Sequence, residues 1–165
     1  NMWNFWTRSP SAIAEKYSRN NCGLGTMNGL TIHDIMPGQS ASFTKTVSEY
    51  DVYAFAGITG DFNPVHINAP YAEGTMFEGR IAHGILCAGF ISTVLGTQLP
   101  GPGAIYISQS LVFKKPVRIG DTITAVVDVA EIIVERNRVR FTTRCVNQHN
   151  DVVAEGESLL MPRRA

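Results

Sequence analysis

The run from Ile81 to Leu99 constrains this chain more than any other stretch. It is apolar apart from breaks at His83, Ser92, Thr93 and Gln98. Ile85, Leu86, Cys87, Ala88, Phe90, Ile91, Val94 and Leu95 cover almost every side of a helix. A helix that is apolar nearly all round must be wrapped by the rest of its protein. The polar breaks suit a buried core helix better than a membrane span. Pro100-Gly101-Pro102-Gly103 ends the helix firmly.

The segments around that helix read mostly as strands. Ala41, Phe43, Lys45 and Val47 alternate with Ser42, Thr44 and Thr46, with Lys45 weakening the apolar face. Ile105 to Phe113 reads as a second strand. Ile123, Ala125, Val127 and Val129 share one face of a third. Val139, Phe141, Thr143 and Cys145 share a face of a fourth, with Arg138, Arg140, Thr142 and Arg144 opposite. Asn150-Asp151 turns the chain into Val152 to Met161. One long apolar helix and a run of antiparallel strands make an α+β fold. A sheet curled around a central helix is the hot-dog architecture. Ser48-Glu49-Tyr50-Asp51 has the form of a capping box and predicts a helix to about Ile58. Ala69 to Glu73, closed by Gly74, predicts a shorter one.

A chain of 165 residues is long enough for one domain with a real core. Lys plus Arg balance Asp plus Glu at 14 each, which gives no electrostatic case for nucleic acid or a membrane surface. Cys22, Cys87 and Cys145 are odd in number and widely spaced, so neither a disulfide framework nor a metal cluster is expected. The simplest setting is a reducing cytoplasm. The first residues lack the basic start and apolar core of a secretory signal. Residues 1–26 fit nothing that follows and read as an extension or appended leader, with the domain spanning 27–165.

Chemistry concentrates in Gly57-Ile58-Thr59-Gly60-Asp61-Phe62-Asn63-Pro64-Val65-His66. Asp61 and His66 can both accept protons, and they lie five positions apart. Pro64 disfavours a helix through this segment and Gly60 permits unusual backbone angles. A tight irregular loop is therefore expected, turning both groups toward one point. The same composition also suits an ordinary turn.

This ten-residue block resembles the hydratase motif of the MaoC-like family, the (R)-specific enoyl-CoA hydratases. The motif carries an aromatic residue upstream, for which Tyr53 and Phe55 are available. Gly79-Arg80-Ile81-Ala82-His83-Gly84 and Phe113-Lys114-Lys115-Pro116-Val117-Arg118-Ile119-Gly120-Asp121-Thr122 resemble two further blocks, in the family's order. The resemblance implies a hot-dog hydratase adding water to trans-2-enoyl-CoA to give (R)-3-hydroxyacyl-CoA. Asp61 and His66 would hold the water, acid and base unassigned. Gly84, read as the head of the apolar helix, would offer a backbone N–H to the thioester oxygen. Asn63 either supports His66 or shapes the turn. His83 either meets substrate or caps the helix start. Lys114, Lys115 and Arg118 either meet coenzyme A phosphates or lie at a solvated strand end. His33 and His149 read as surface residues. No metal or organic cofactor is expected, since coenzyme A arrives on the substrate. A homodimer or larger homo-oligomer is expected, since a single curled sheet leaves open edges. The alternatives are a 3-hydroxyacyl-(acyl carrier protein) dehydratase, an acyl-CoA thioesterase and a non-catalytic acyl-CoA binding module.

Overall fold

The computed structural model describes residues 28–164. The extension read over residues 1–26, and Cys22 within it, lie outside the described residues. Five antiparallel strands form one sheet: β1 (Ser40–Thr46), β2 (Ile105–Phe113), β3 (Thr122–Ile133), β4 (Arg138–Val146) and β5 (Val152–Met161). Their order across the sheet is β1-β3-β4-β5-β2. One cross-strand row shows the register: Phe43, Ala125, Cys145, Ala154 and Phe113 lie side by side on all five strands. This row and its neighbours build the inner face. Ile123, Ala125, Val127, Val139, Phe141 and Cys145 are fully buried there, as the alternating pattern requires.

The outer face carries ion pairs between neighbouring strands. Arg140 reaches Glu131 and Glu157, Arg144 reaches Asp128, and Lys114 reaches Glu155. Lys45 sits on the inward row of β1, yet its ammonium escapes to Asp51, 3.1 Å away. His33 and His149 are exposed, as read from sequence.

Helix α1 (Glu49–Thr59) starts with the expected capping box. The Asp51 N–H donates to Ser48 Oγ, and the Ser48 N–H donates to Asp51 Oδ2 at 2.8 Å. Two short helices follow, α2 (Pro64–Ile67) and α3 (Ala69–Glu73). The central helix α4 runs from Leu86 to Thr97 and packs on β3, β1 and β4. Cys87, Phe90, Ile91, Val94 and Leu95 face the sheet.

Two expectations about α4 need correction. It starts two residues after Gly84, because Ile81 is drawn into a bridge with Arg118 and the Ala82 N–H donates to the Val117 carbonyl. Residues 80–82 are thus tied beside another segment before a turn opens the helix. The wrapping is also incomplete in a single chain. Gly89, Ser92 and Gly96 form an exposed stripe of small residues along one side. The fold is the hot-dog fold, one antiparallel sheet curled on a central helix. Among the described residues no helix is long and apolar enough to cross a membrane.

Candidate active site

The site begins where α1 stops. Gly60 adopts φ 79°, the left-handed region, and its N–H donates to the Ala56 carbonyl at 2.8 Å. A side chain here would be strained, so glycine ends the helix and delivers Asp61 directly after it. Asp61 Oδ1 accepts the Asn63 N–H at 3.2 Å, which leaves Oδ2 outside that turn. Asn63 then caps α2, its Oδ1 accepting the Val65 N–H at 3.3 Å. The loop is less irregular than expected. Pro64 opens a single helical turn, because the first helical position tolerates its missing N–H and fixed φ. The structure places Asn63 in its turn-shaping role. Its main-chain carbonyl also receives the His66 N–H at 2.9 Å.

His66 is buried at 8% exposure. Its Nδ1 lies 2.8 Å from the Ile81 carbonyl. A carbonyl can only accept, so Nδ1 carries the hydrogen and the neutral ring keeps its lone pair on Nε2. Burial pushes the His66 pKa below the ordinary 6.5, and His83 pushes it further. The Ile81 carbonyl and Asp61 oppose the shift without cancelling it. At neutral pH the His66 ring is uncharged and its Nε2 can accept a proton.

His83 is no helix cap, since the first turn of α4 has no side-chain capping bond. It stacks on His66 with ring centroids 3.9 Å apart. Its Nε2 donates to the Asp61 main-chain carbonyl at 3.0 Å and lies 3.9 Å from Asp61 Oδ2. The ring of Phe55 packs on its other side, centroids 4.7 Å apart. One histidine thus grips both halves of the Asp61–His66 pair. Arg80 stands in the second block, and no pattern in the sequence points to a role for it. Its Nε donates to the His66 carbonyl at 2.7 Å, and its guanidinium lies 5.0 Å from the centre of the Tyr53 ring. The two upstream aromatics therefore serve different partners, Phe55 holding His83 and Tyr53 holding Arg80.

These groups open into a cavity of about 530 Å³. Asp61, His66, His83 and Gly84 stand beside apolar walls from Ile81, Cys87, Phe113 and Val117. Among the described residues the N–H groups of Gly84 and Ile85 have no acceptor. The turn ahead of α4 satisfies Leu86 and Cys87 through the carbonyls of His83 and Gly84, and leaves those two donors free. Gly84 has a second reason to be glycine. A Cβ there would sit 3.0 Å from the Phe113 ring. Lys114 and Lys115 line the cavity, and they already pair with Glu155 at 2.8 Å and Asp151 at 2.7 Å. Arg118 does not line it. Its guanidinium donates to the carbonyl of Phe77, a residue of the cavity wall, at 2.6 Å, apart from the ion pairs of the two lysines.

Asp61, His66 and His83 each offer one ligand atom within 4.8 Å of the others. The two rings stack with only 33° between their planes. Ring nitrogens coordinate in the ring plane, so a shared ion would require the stack to open.

The family model described as MaoC like domain matches residues 34–155. The chain belongs to the MaoC-like family. It is 59% identical over 128 residues to an (R)-specific enoyl-CoA hydratase of Rhodospirillum rubrum, covering 78% of this chain and 88% of that one. It is 50% identical over 137 residues to a 3-hydroxybutyryl-CoA dehydratase of Methylorubrum extorquens, covering 83% and 87%. The solved structure of an R-hydratase from Pseudomonas aeruginosa superposes with a TM-score of 0.79 at 41% identity, over 83% of this chain and 88% of that one. The MaoC-like family thus accounts for the sheet, the central helix and most of the chain's length.

Proposed function

We propose that this MaoC-like protein reversibly hydrates trans-2-enoyl-CoA to (R)-3-hydroxyacyl-CoA, as a hydro-lyase. The observation that carries the reading is the pairing of two proton acceptors with two free backbone donors at one apolar cavity. The names of the Rhodospirillum and Methylorubrum relatives support the same reaction, and the first of them its (R) product. A water molecule donates to His66 Nε2 and to the Asp61 carboxylate. Its oxygen bonds to C3 as His66 takes a proton. The thioester oxygen gathers negative charge and receives the N–H groups of Gly84 and Ile85, a contact typically worth about 3 kcal/mol per donor. A proton returned from the Asp61–His66 pair then bonds to C2. No metal or organic cofactor is required, because the thioester itself activates C3. Lys114 and Lys115, at the cavity wall, are the cations nearest to hand for coenzyme A phosphates. Two buried, unpaired thiols, Cys87 and Cys145, suit a reducing cytoplasm.

The direct test is loss of enoyl absorbance across a series of trans-2-enoyl-CoA chain lengths, with thiol release followed in parallel. Disappearance of the enoyl group without free thiol supports hydration; thiol release alone overturns it in favour of a thioesterase. The pH profile gives a sharper readout. His66 must be neutral to take the proton, and its pKa lies below 6.5. The kcat/KM for hydration therefore rises with pH through an apparent pKa below 6.5 and is lost as pH falls through it. An acid limb centred above 6.5 contradicts the assignment.

The active form is a homodimer. Among the described residues strand β2 pairs only with β5, and Ile105, Ile107, Val112 and Phe113 are about half exposed along it. The small-residue stripe on α4 gives a partner helix room to approach. Light scattering is expected to report two or more chains at micromolar concentration. A fully active monomer rules the dimer out.

A further inference from the structure

We infer that Arg80 is a positioning residue, whose guanidinium holds the one-turn helix under His66 and so sets the angle of the catalytic imidazole. The inference rests on the proposed hydration for its kinetic consequence, though not for its structural one.

Helix α2 has four residues, far fewer than a helix needs to persist alone. Its conformation is imposed from outside. Asn63 holds its start. At its end the His66 carbonyl has no partner within the helix and accepts from Arg80 Nε at 2.7 Å. The very next residue, Ile81, accepts from the His66 ring at 2.8 Å. Residues 80 and 81 therefore seize residue 66 at its main chain and at its ring. Two fixed points determine a ring angle where one leaves a pivot.

Arg80 is itself held from the opposite side. Its Nη1 donates to Glu49 Oε1 at 2.6 Å, and its plane lies over Tyr53. Glu49 and Tyr53 are four residues apart on α1, on one face. The guanidinium is a rigid fork, so fixing one arm and one face fixes the direction of Nε. α1 thus locates Arg80, and Arg80 locates His66. The remaining nitrogen, Nη2, is buried without an acceptor among the described residues. An unsatisfied buried donor weakens the fold rather than strengthening it. A residue present for stability alone has no reason to carry it.

The test uses the full chain with 15N-labelled histidine, in wild type, Arg80→Gln and Arg80→Lys. Wild type should show His66 protonated on Nδ1. In Arg80→Gln that signal should move toward the Nε2-protonated form, and kcat should fall roughly 10- to 100-fold, as about 1 Å of misplacement can produce. KM should stay within about threefold, since Arg80 does not line the cavity. Arg80→Lys keeps a cation that can pair with Glu49 and donate to the His66 carbonyl, and it should recover most of the lost kcat. An unchanged Nδ1 signal in folded Arg80→Gln overturns the inference, whether or not thermal stability falls. If Arg80→Gln does not fold, Arg80→Met and Tyr53→Leu decide by the same tautomer readout, and a wild-type Nδ1 signal in both overturns it. A wild type that hydrates no enoyl-CoA overturns the assigned reaction, and the tautomer still reports on Arg80.

Discussion

Asp61→Asn lowers enoyl-CoA turnover by at least about a hundredfold, His66→Gln does the same, and the double variant loses little more. General acid–base groups typically contribute about 10²–10⁴-fold each. Losses multiply only when groups act independently, and two groups sharing one water do not. Asparagine keeps the oxygen that receives the Asn63 N–H, so the turn survives while the carboxylate's basicity goes. Glutamine removes the ring and its stack on His83 but leaves the main-chain bond to Arg80. Circular dichroism should therefore be near wild type in all three. Near-normal turnover in either folded single variant would sink the mechanism.

The second large effect is on the sheet itself. Gly156 lies on β5, opposite Leu111 of β2 and Thr143 of β4. A Cβ there would stand 1.9 Å from the Ser110 carbonyl oxygen and 3.1 Å from Leu111 Cα. These are backbone atoms inside a ladder and cannot swing aside. Gly156→Ala must part β2 from β5, at or beyond the top of the roughly 1–3 kcal/mol range for overpacking. Turnover should fall with stability, because β2 carries Phe113 into the cavity. Gly57→Ala is the contrasting case. Its Cβ meets nothing within 4 Å, and alanine in a helix interior is favoured by up to about 1 kcal/mol over glycine. Urea midpoints of the two variants should move in opposite directions. A Gly156→Ala midpoint equal to wild type would show that β2 is not held as closely as the structure has it.

Most of the fold was legible because the strands alternate cleanly. Val127 and Val139 sit inside and Arg140 and Arg144 outside, as period-two patterning dictates. The start of α4 was misplaced for a definite reason. Ile81 and Ala82 are as apolar as the helix they precede, and only their bonds to residues 117 and 118 assign them to the neighbouring segment. Hydropathy cannot see partners 37 and 35 residues further along the chain. Asp61 and His66 stood out because they are close in sequence. His83 and Arg80 reach them from 14 to 22 residues downstream, so their roles surface only once the chain has folded back. Arg118 was grouped with Lys114 and Lys115 by adjacency, yet its guanidinium leaves them for the Phe77 carbonyl.

A helix of one turn held by neighbours has a consequence for how the molecule breathes. α2 cannot open and close as a unit of its own, since each of its ends is fixed by groups outside it. Amide hydrogen exchange at His66 and Asn68 should therefore share the opening free energy of Ile81 and Ala82, even though a dozen residues of chain intervene. The turn that carries His66 and the segment beside it form one cooperative unit, and any fluctuation that frees the imidazole also opens a wall of the cavity.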